Sequence, residues 1–189
     1  FNGNIDQVRI YNRSLSVEEV EDVYAWDKAR DFSDNTNYGE LYDDANFTKG
    51  YYGNGTEFDG ASDYVSAGYS SRMDVDVVSV SAWVNVETCE DFDRVISKRH
   101  EADNRQSYGI GLIEDSGSCY FDGMFYDENG NSGHIGQTLG APAFGEGEWH
   151  HVVIVFNSTY DALMYQDGKL VNVKTATWNA PIDVSSDDF

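Results

Sequence analysis

Apolar and polar residues alternate along much of this chain, with a period of two. Val78, Val80, Ala82, Val84 and Val86 are separated by Ser79, Ser81, Trp83 and Asn85, which on an extended backbone places the apolar set on one buried face. Tyr108, Ile110 and Leu112 alternate with glycines, and residues Tyr120 to Tyr126 alternate again through Phe121 and Phe125. Trp149 to Phe156 is denser in apolar side chains and reads as a core strand. Within it, His150 and His151 are neighbours, so they point to opposite faces and cannot chelate one ion together. Leu163-Met164-Tyr165 and Leu170-Val171 flank Gln166-Asp167-Gly168-Lys169. Asp-Gly between apolar runs predicts a hairpin, because a type I′ turn requires positive φ at both central residues. Gln7 to Asn12 reads as a further strand, with Val8 and Ile10 inward and Arg9 and Tyr11 outward. Short strands separated by turn residues, with only two prolines in the chain, predict a sandwich or barrel.

One segment has a helical signature instead. Ser16 fits an N-cap with Glu19 as its capping-box partner, and Leu15 and Val20 occupy the positions of a hydrophobic staple. Glu18 and Glu19 suit the positive end of a helix dipole. About two turns of helix must be held by packing rather than propensity. Residues 25–50 are polar and irregular, with Trp26 and Phe32 as anchors, and read as a connection to the next strand.

Charge narrows the partners. Among 189 residues there are 34 Asp plus Glu against 12 Lys plus Arg, a formal net charge of −22. Such a surface repels phosphate backbones and anionic lipid and attracts cations, so nucleic acid and membrane surfaces are poor partners. Abundant aromatics, thirteen Tyr and ten Phe, set the chain apart from a disordered acidic tail. The acidity is that of a solvated surface, or of adaptation to high salt, where a Debye length of roughly 3 Å at 1 M screens self-repulsion. The shortage of lysine resembles halophilic archaeal proteins.

The longest apolar run, Val152 to Phe156, is far short of the roughly 18 residues a membrane span needs. The chain does not start with Met, so its true start is expected elsewhere. Cys89 and Cys119 are compatible with one disulfide or with two buried thiols. Four Asn-x-Ser/Thr sequons occur, at Asn12, Asn46, Asn54 and Asn157. Together these features point to an exported, cell-surface location.

Three motifs carry a family resemblance. Phe58-Asp59-Gly60-Ala61-Ser62-Asp63-Tyr64-Val65 resembles the early strand-turn-strand of laminin-G-like modules. Gly147-Glu148-Trp149-His150-His151-Val152, followed by Tyr165-Gln166-Asp167-Gly168, resembles their central hairpin. Phe1-Asn2-Gly3-Asn4-Ile5-Asp6 through Tyr24 resembles their ending, although here it comes first. The resemblance implies an all-β, antiparallel two-sheet jelly-roll sandwich of the concanavalin A-like class, with one short helix. It implies a division into residues 1–24 as a closing strand and helix, 25–50 as connector, and 51–189 as the main body. The displaced ending implies a permuted domain or a cut from a tandem array. In either case residues 1–24 complete their own sandwich or a neighbour's.

Resemblance to the pentraxins, which share this sandwich, implies a calcium site built from two loops. Asp103 and Asn104 would supply oxygen ligands from one loop, and Asp187 and Asp188 from the other. The Asp6, Asp59 and Asp63 carboxylates are turn and strand-end residues. No strand carries the alternating carboxylates that glucanases on this sandwich use, so no catalysis is expected. Sugar binding is the family's common use, and Tyr69, Tyr126, Tyr160 and Trp178 are platform candidates near loops. The expected function is therefore a non-catalytic extracellular adhesion module that recognises glycan or protein with calcium assisting. The alternative is a structural repeat assembled into a filament or stalk with other copies of itself by exchange of its terminal strand.

Overall fold

The computed structural model describes residues 37–91, 93–99, 106–127, 132–136, 141–175 and 182. The expected strand at Gln7–Asn12 and the helix opening at Ser16 lie outside these residues. Two compact units are distinguished: residues 1–48 with 56–66, and residues 49–55 with 67–189.

The smaller unit contains β1 (Glu40–Tyr42) and β4 (Tyr64–Ser66), paired antiparallel with Tyr42 opposite Tyr64. The two facing rings stack at 4.5 Å between centroids. The intervening turn is held by its own carboxylates. Asp63 accepts the backbone N–H of Asp44 at 2.8 Å and that of Asp59 at 2.9 Å, while Asp59 accepts that of Ala61 at 2.8 Å. Asp59 and Asp63 thus stabilise a turn, as short acidic side chains commonly do. Of residues 25–50, expected to be irregular, the described part from residue 37 onward contains β1 and β2 (Asn46–Lys49). Both are short and largely exposed, so no alternation announces them.

β2 and β3 (Asn54–Glu57) form a two-stranded ribbon. Its tip, Gly50-Tyr51-Tyr52-Gly53, closes with a hydrogen bond from the Gly50 N–H to the Gly53 carbonyl at 2.9 Å. Gly53 has φ +67°, and a Cβ on Gly50 would lie 3.0 Å from the Asn54 backbone. Glycine at both ends lets the chain reverse while displaying two tyrosines.

The larger unit holds two four-stranded sheets. One has the order β12 (Lys169–Lys174), β11 (Ala162–Gln166), β10 (Trp149–Phe156), β5 (Val78–Asn85); the other runs β6 (Arg94–Arg99), β7 (Gln106–Asp115), β8 (Ser118–Tyr126), β9 (Ser132–His134). All their pairings are antiparallel. The alternating positions do what the period dictates: Val80, Val152, Ile154, Phe156 and Met164 of one sheet join Ile110, Leu112, Phe121 and Phe125 of the other in one buried core. Phe121 stacks on Phe144 at 4.1 Å, and Phe125 lies 5.2 Å from Phe156. The sheets approach closely at Gly123, where a Cβ would sit 2.7 Å from both Ile135 and Ile154. The β11–β12 turn has φ +50° at Asp167 and +76° at Gly168, the two positive values that Asp-Gly was expected to supply.

Two covalent or ionic devices lock the interior. Cys89 and Cys119 are joined in a disulfide with Cα atoms 6.0 Å apart, closing a separation of 30 residues. Lys98 is buried on β6, and its ammonium pairs with Asp74, whose other oxygen accepts the Tyr69 hydroxyl at 2.9 Å. A buried charge survives only with such a partner. Tyr108, across from Lys98, donates to the Met73 carbonyl at 3.2 Å. Burial, and then the Asp74 charge, push its phenol up to about 12.

Candidate ligand-binding face

The outward residues of β5 and β10 are where the larger unit departs from an ordinary polar exterior. Trp83 faces His151 across the strand pair, Trp149 faces Asn85, and Ser81 faces Val153. Onto this surface comes the tip of the β2–β3 ribbon. Tyr51 stacks on Trp83 with centroids 3.8 Å apart and planes 8° from parallel, and it lies 6.1 Å from Trp149. Tyr52 stands edge-on to Tyr51 at 4.7 Å and to Trp83 at 5.8 Å. The His151 ring lies 5.1 Å from Trp83.

Despite these mutual contacts the rings stay open to solvent. Tyr52 is 74% exposed, Tyr51 47%, and Trp83 and Trp149 37% each. A buried aromatic removes on the order of 150–250 Å² from water, and isolated exposed apolar residues mean little, but a contiguous set marks a place where something binds. Offset and edge-to-face contacts fix the rings relative to one another. The rings are therefore held against one another while their outer edges stay in water.

Ser81 Oγ and His151 Nε2 are 2.8 Å apart, the spacing of a nucleophile and its base. Their register explains the contact without chemistry, since Ser81 and His151 are diagonal neighbours on one sheet face. Among the described residues no carboxylate is hydrogen-bonded to the imidazole's other nitrogen; Asp167 instead accepts the His151 backbone N–H at 2.9 Å. His150 points the other way. Its ring packs 5.4 Å from Phe144 and 6.2 Å from Phe121, and its Nδ1 meets Asp167 Oδ2 at 2.9 Å. Burial acts to raise the Asp167 carboxyl, but bonds from His150 and the His151 amide, with the charge of both imidazoles, bring it below its ordinary value. Asp167 thereby ties the hairpin turn to β10.

A second imidazole–carboxylate pair lies on the other sheet, where His134 Nδ1 meets buried Asp122 Oδ2 at 2.6 Å. Asp122 Oδ1 is buried and finds no hydrogen-bond partner among the described residues.

The residues singled out from sequence fall elsewhere. Asp103, Asn104, Asp187 and Asp188, Trp178 and Asn12 all lie outside the described residues, and so does Asp6. Tyr69 spends its hydroxyl on Asp74, Tyr126 ends β8 half-buried, and Tyr160 packs 6.1 Å from Phe156. Asn46 is exposed and its amide donates to the Asp44 carbonyl; Asn54 is exposed at the start of β3, and Asn157 is built into a turn. The aromatic cluster was missed, yet it left a trace. Trp83 occupies the polar phase of the β5 alternation, and Tyr51-Tyr52 is a doublet bracketed by glycines.

Comparison with known proteins places the chain. A Laminin-G-type family model described as the concanavalin A-like lectin/glucanases superfamily matches residues 59–189. No curated protein sequence matches. Among solved structures, the binding domain of Paraclostridial Mosquitocidal Protein 1 superposes with a TM-score of 0.51 at 15% identity, over 86% of this chain and 41% of that one. The HCR/D W1238A mutant superposes with a TM-score of 0.57 at 13% identity, over 84% of this chain and 40% of that one. The chain thus spans about two fifths of the length of either structure, and at these identities the likeness is one of fold. The two facing sheets and the family match over residues 59–189 agree: the chain belongs to the concanavalin A-like lectin/glucanases superfamily.

Proposed function

We propose that this chain is a non-catalytic binding module and that Tyr51, Tyr52, Trp83 and Trp149 form its ligand-contacting surface, with a glycan as the ligand. The observation that carries this reading is the preorganised, solvent-open aromatic cluster. The C–H face of a pyranose ring presents weak positive charge to the negative face of an aromatic ring, while hydroxyls at its rim can reach polar neighbours such as Ser81 and Asn85. The net charge of −22 favours neutral or cationic sugars over sulfated or sialylated ones. That a solved relative in fold is a binding domain supports a recognition role.

A glycan array followed by calorimetry on a hit tests the reading. Binding that falls at least tenfold in W83A and Y52A, with the fold retained, supports it. Binding that is unchanged in both removes it.

Calcium at Asp103, Asn104, Asp187 and Asp188 belongs to the same proposal, on the chemistry of a hard-oxygen donor set. A rise in melting temperature with calcium, lost in D103N and D187N, is the expected result. The disulfide supports an extracellular setting, and the acidity supports a halophilic one, tested by melting temperature against salt.

A second reading keeps the terminal-strand exchange. Among the described residues β5 is an edge of its sheet, and edges accept strands. If residues 7–12 link one copy to another, deleting residues 1–24 will convert an assembling protein to a monomer in light scattering. A deletion mutant of unchanged mass and melting temperature removes this reading.

A further inference from the structure

We propose that Asn54 is an N-glycosylation acceptor and that Asn157, which carries the same sequence motif, is not. The motif Asn-x-Ser/Thr is a hypothesis wherever it occurs, and its structural context decides it. Asn54-Gly55-Thr56 opens β3 directly after the ribbon tip. The Asn54 side chain is exposed, and its amide makes no hydrogen bond among the described residues. Exposed loop tips with small neighbours are where bulky additions are tolerated, and Gly53 and Gly55 flank the acceptor.

Asn157-Ser158-Thr159 is the opposite case. The Asn157 Oδ1 accepts the Thr159 N–H at 3.0 Å and the Asp161 N–H at 2.9 Å. The single proton of the Thr159 hydroxyl is shared between Asn157 Oδ1 and Asp161 Oδ2, each 2.7 Å away, and Asn157 Nδ2 faces Asp161 Oδ2 at 3.5 Å. The side chain is half-buried. This amide is the organiser of the turn between β10 and β11, where Tyr160 holds a φ of +60°. A glycan attached before folding would have to displace those bonds.

The disulfide between Cys89 and Cys119 independently indicates an oxidising, secretory route, which is where such transfer takes place. The donor is a lipid-linked pyrophosphoryl oligosaccharide presented by a membrane-bound transferase. The bond from its anomeric carbon to phosphate oxygen breaks and the lipid pyrophosphate leaves with the electron pair. A bond forms from that carbon to Asn54 Nδ2, which gives up one proton. Asn54 is two residues from Tyr52, so the added glycan would stand at the ribbon tip beside the exposed rings.

The full chain, secreted from a host with this machinery, is digested and its intact glycopeptides weighed before and after peptide-N-glycosidase. The expected result is a removable oligosaccharide mass on the Asn54 peptide and a bare Asn157 peptide. N54Q and T56A, which destroy the motif in two independent ways, lose that mass. Secreted, disulfide-bonded protein with bare Asn54 overturns the proposal, and so does a glycan on Asn157.

Discussion

The two faces of the β5–β10 pair are made from the same strands, yet they are put to different uses. On the inner face Val152, Ile154 and Phe156 are essentially sealed from water, and their value is packing. On the outer face Trp149, His151 and Trp83 are left part-open and are joined by Tyr51 and Tyr52 from another stretch of chain. Adjacent histidines show the divide at one residue's resolution. His150 packs among Phe121 and Phe144, while His151 turns outward to Ser81 and Trp83. Aromatics of similar size therefore carry stability on one side and, in our reading, recognition on the other.

The largest expected effect tests that division directly. Phe121→Ala removes a fully buried ring stacked on Phe144 and should cost about 3–5 kcal/mol, as large-to-small core substitutions do. Trp83→Ala should cost well under half of that in denaturant unfolding, because much of the ring is already in water. Equal losses would mean that the outer cluster is structural. Next in size is the disulfide. Replacing both Cys89 and Cys119 by Ser should lower stability by about 3–4 kcal/mol, from the loop entropy of a 30-residue separation. Ligand binding measured below the new melting temperature should be unaffected.

How much of this division the sequence displayed follows from what period-two patterning can carry. The apolar density of Trp149 to Phe156 predicts a core strand, and β10 occupies those residues. Asp167-Gly168 announced its hairpin because Asp-Gly is one of the few dipeptides that readily take two positive φ values. Lys98 was not legible as buried, since its partner Asp74 comes from 24 positions away. Nor was the cluster. Alternation marks Trp83 simply as an outward residue of its strand, and only tertiary structure lays Tyr51 upon it. The proposed calcium ligands Asp103, Asn104, Asp187 and Asp188 lie outside the described residues, and sequence pattern gives their residue type but no geometry.

A smaller effect sharpens the outer face itself. If Tyr51 orders Trp83 for a ligand, the double mutant Y51A/W83A should lose less binding than the sum of the single mutants. The coupling should be about 0.5–1.5 kcal/mol, the range for aromatic pairs. Strict additivity in calorimetry would mean that the two rings contact the ligand independently.

The smallest effect returns to the interior and reads it by pH. Tyr108 is buried beside Asp74, and both influences favour its neutral phenol, with the fold raising it from 10.0 to about 12. An unfolded chain ionises this group near pH 10, so above that value ionisation lowers the free energy of the unfolded state and not yet that of the folded state. The stability Tyr108 contributes is therefore complete below about pH 10 and is lost progressively toward pH 12. In Y108F the group cannot ionise. The difference in unfolding free energy between wild type and Y108F should be flat from pH 7 to about 10 and then shrink. Part of the flat difference is the lost bond to the Met73 carbonyl, worth roughly 1 kcal/mol, but that bond alone gives no such slope. A difference that stays constant to pH 12 would show that this phenol ionises alike folded and unfolded, and that the inner face is wetter here than its geometry indicates.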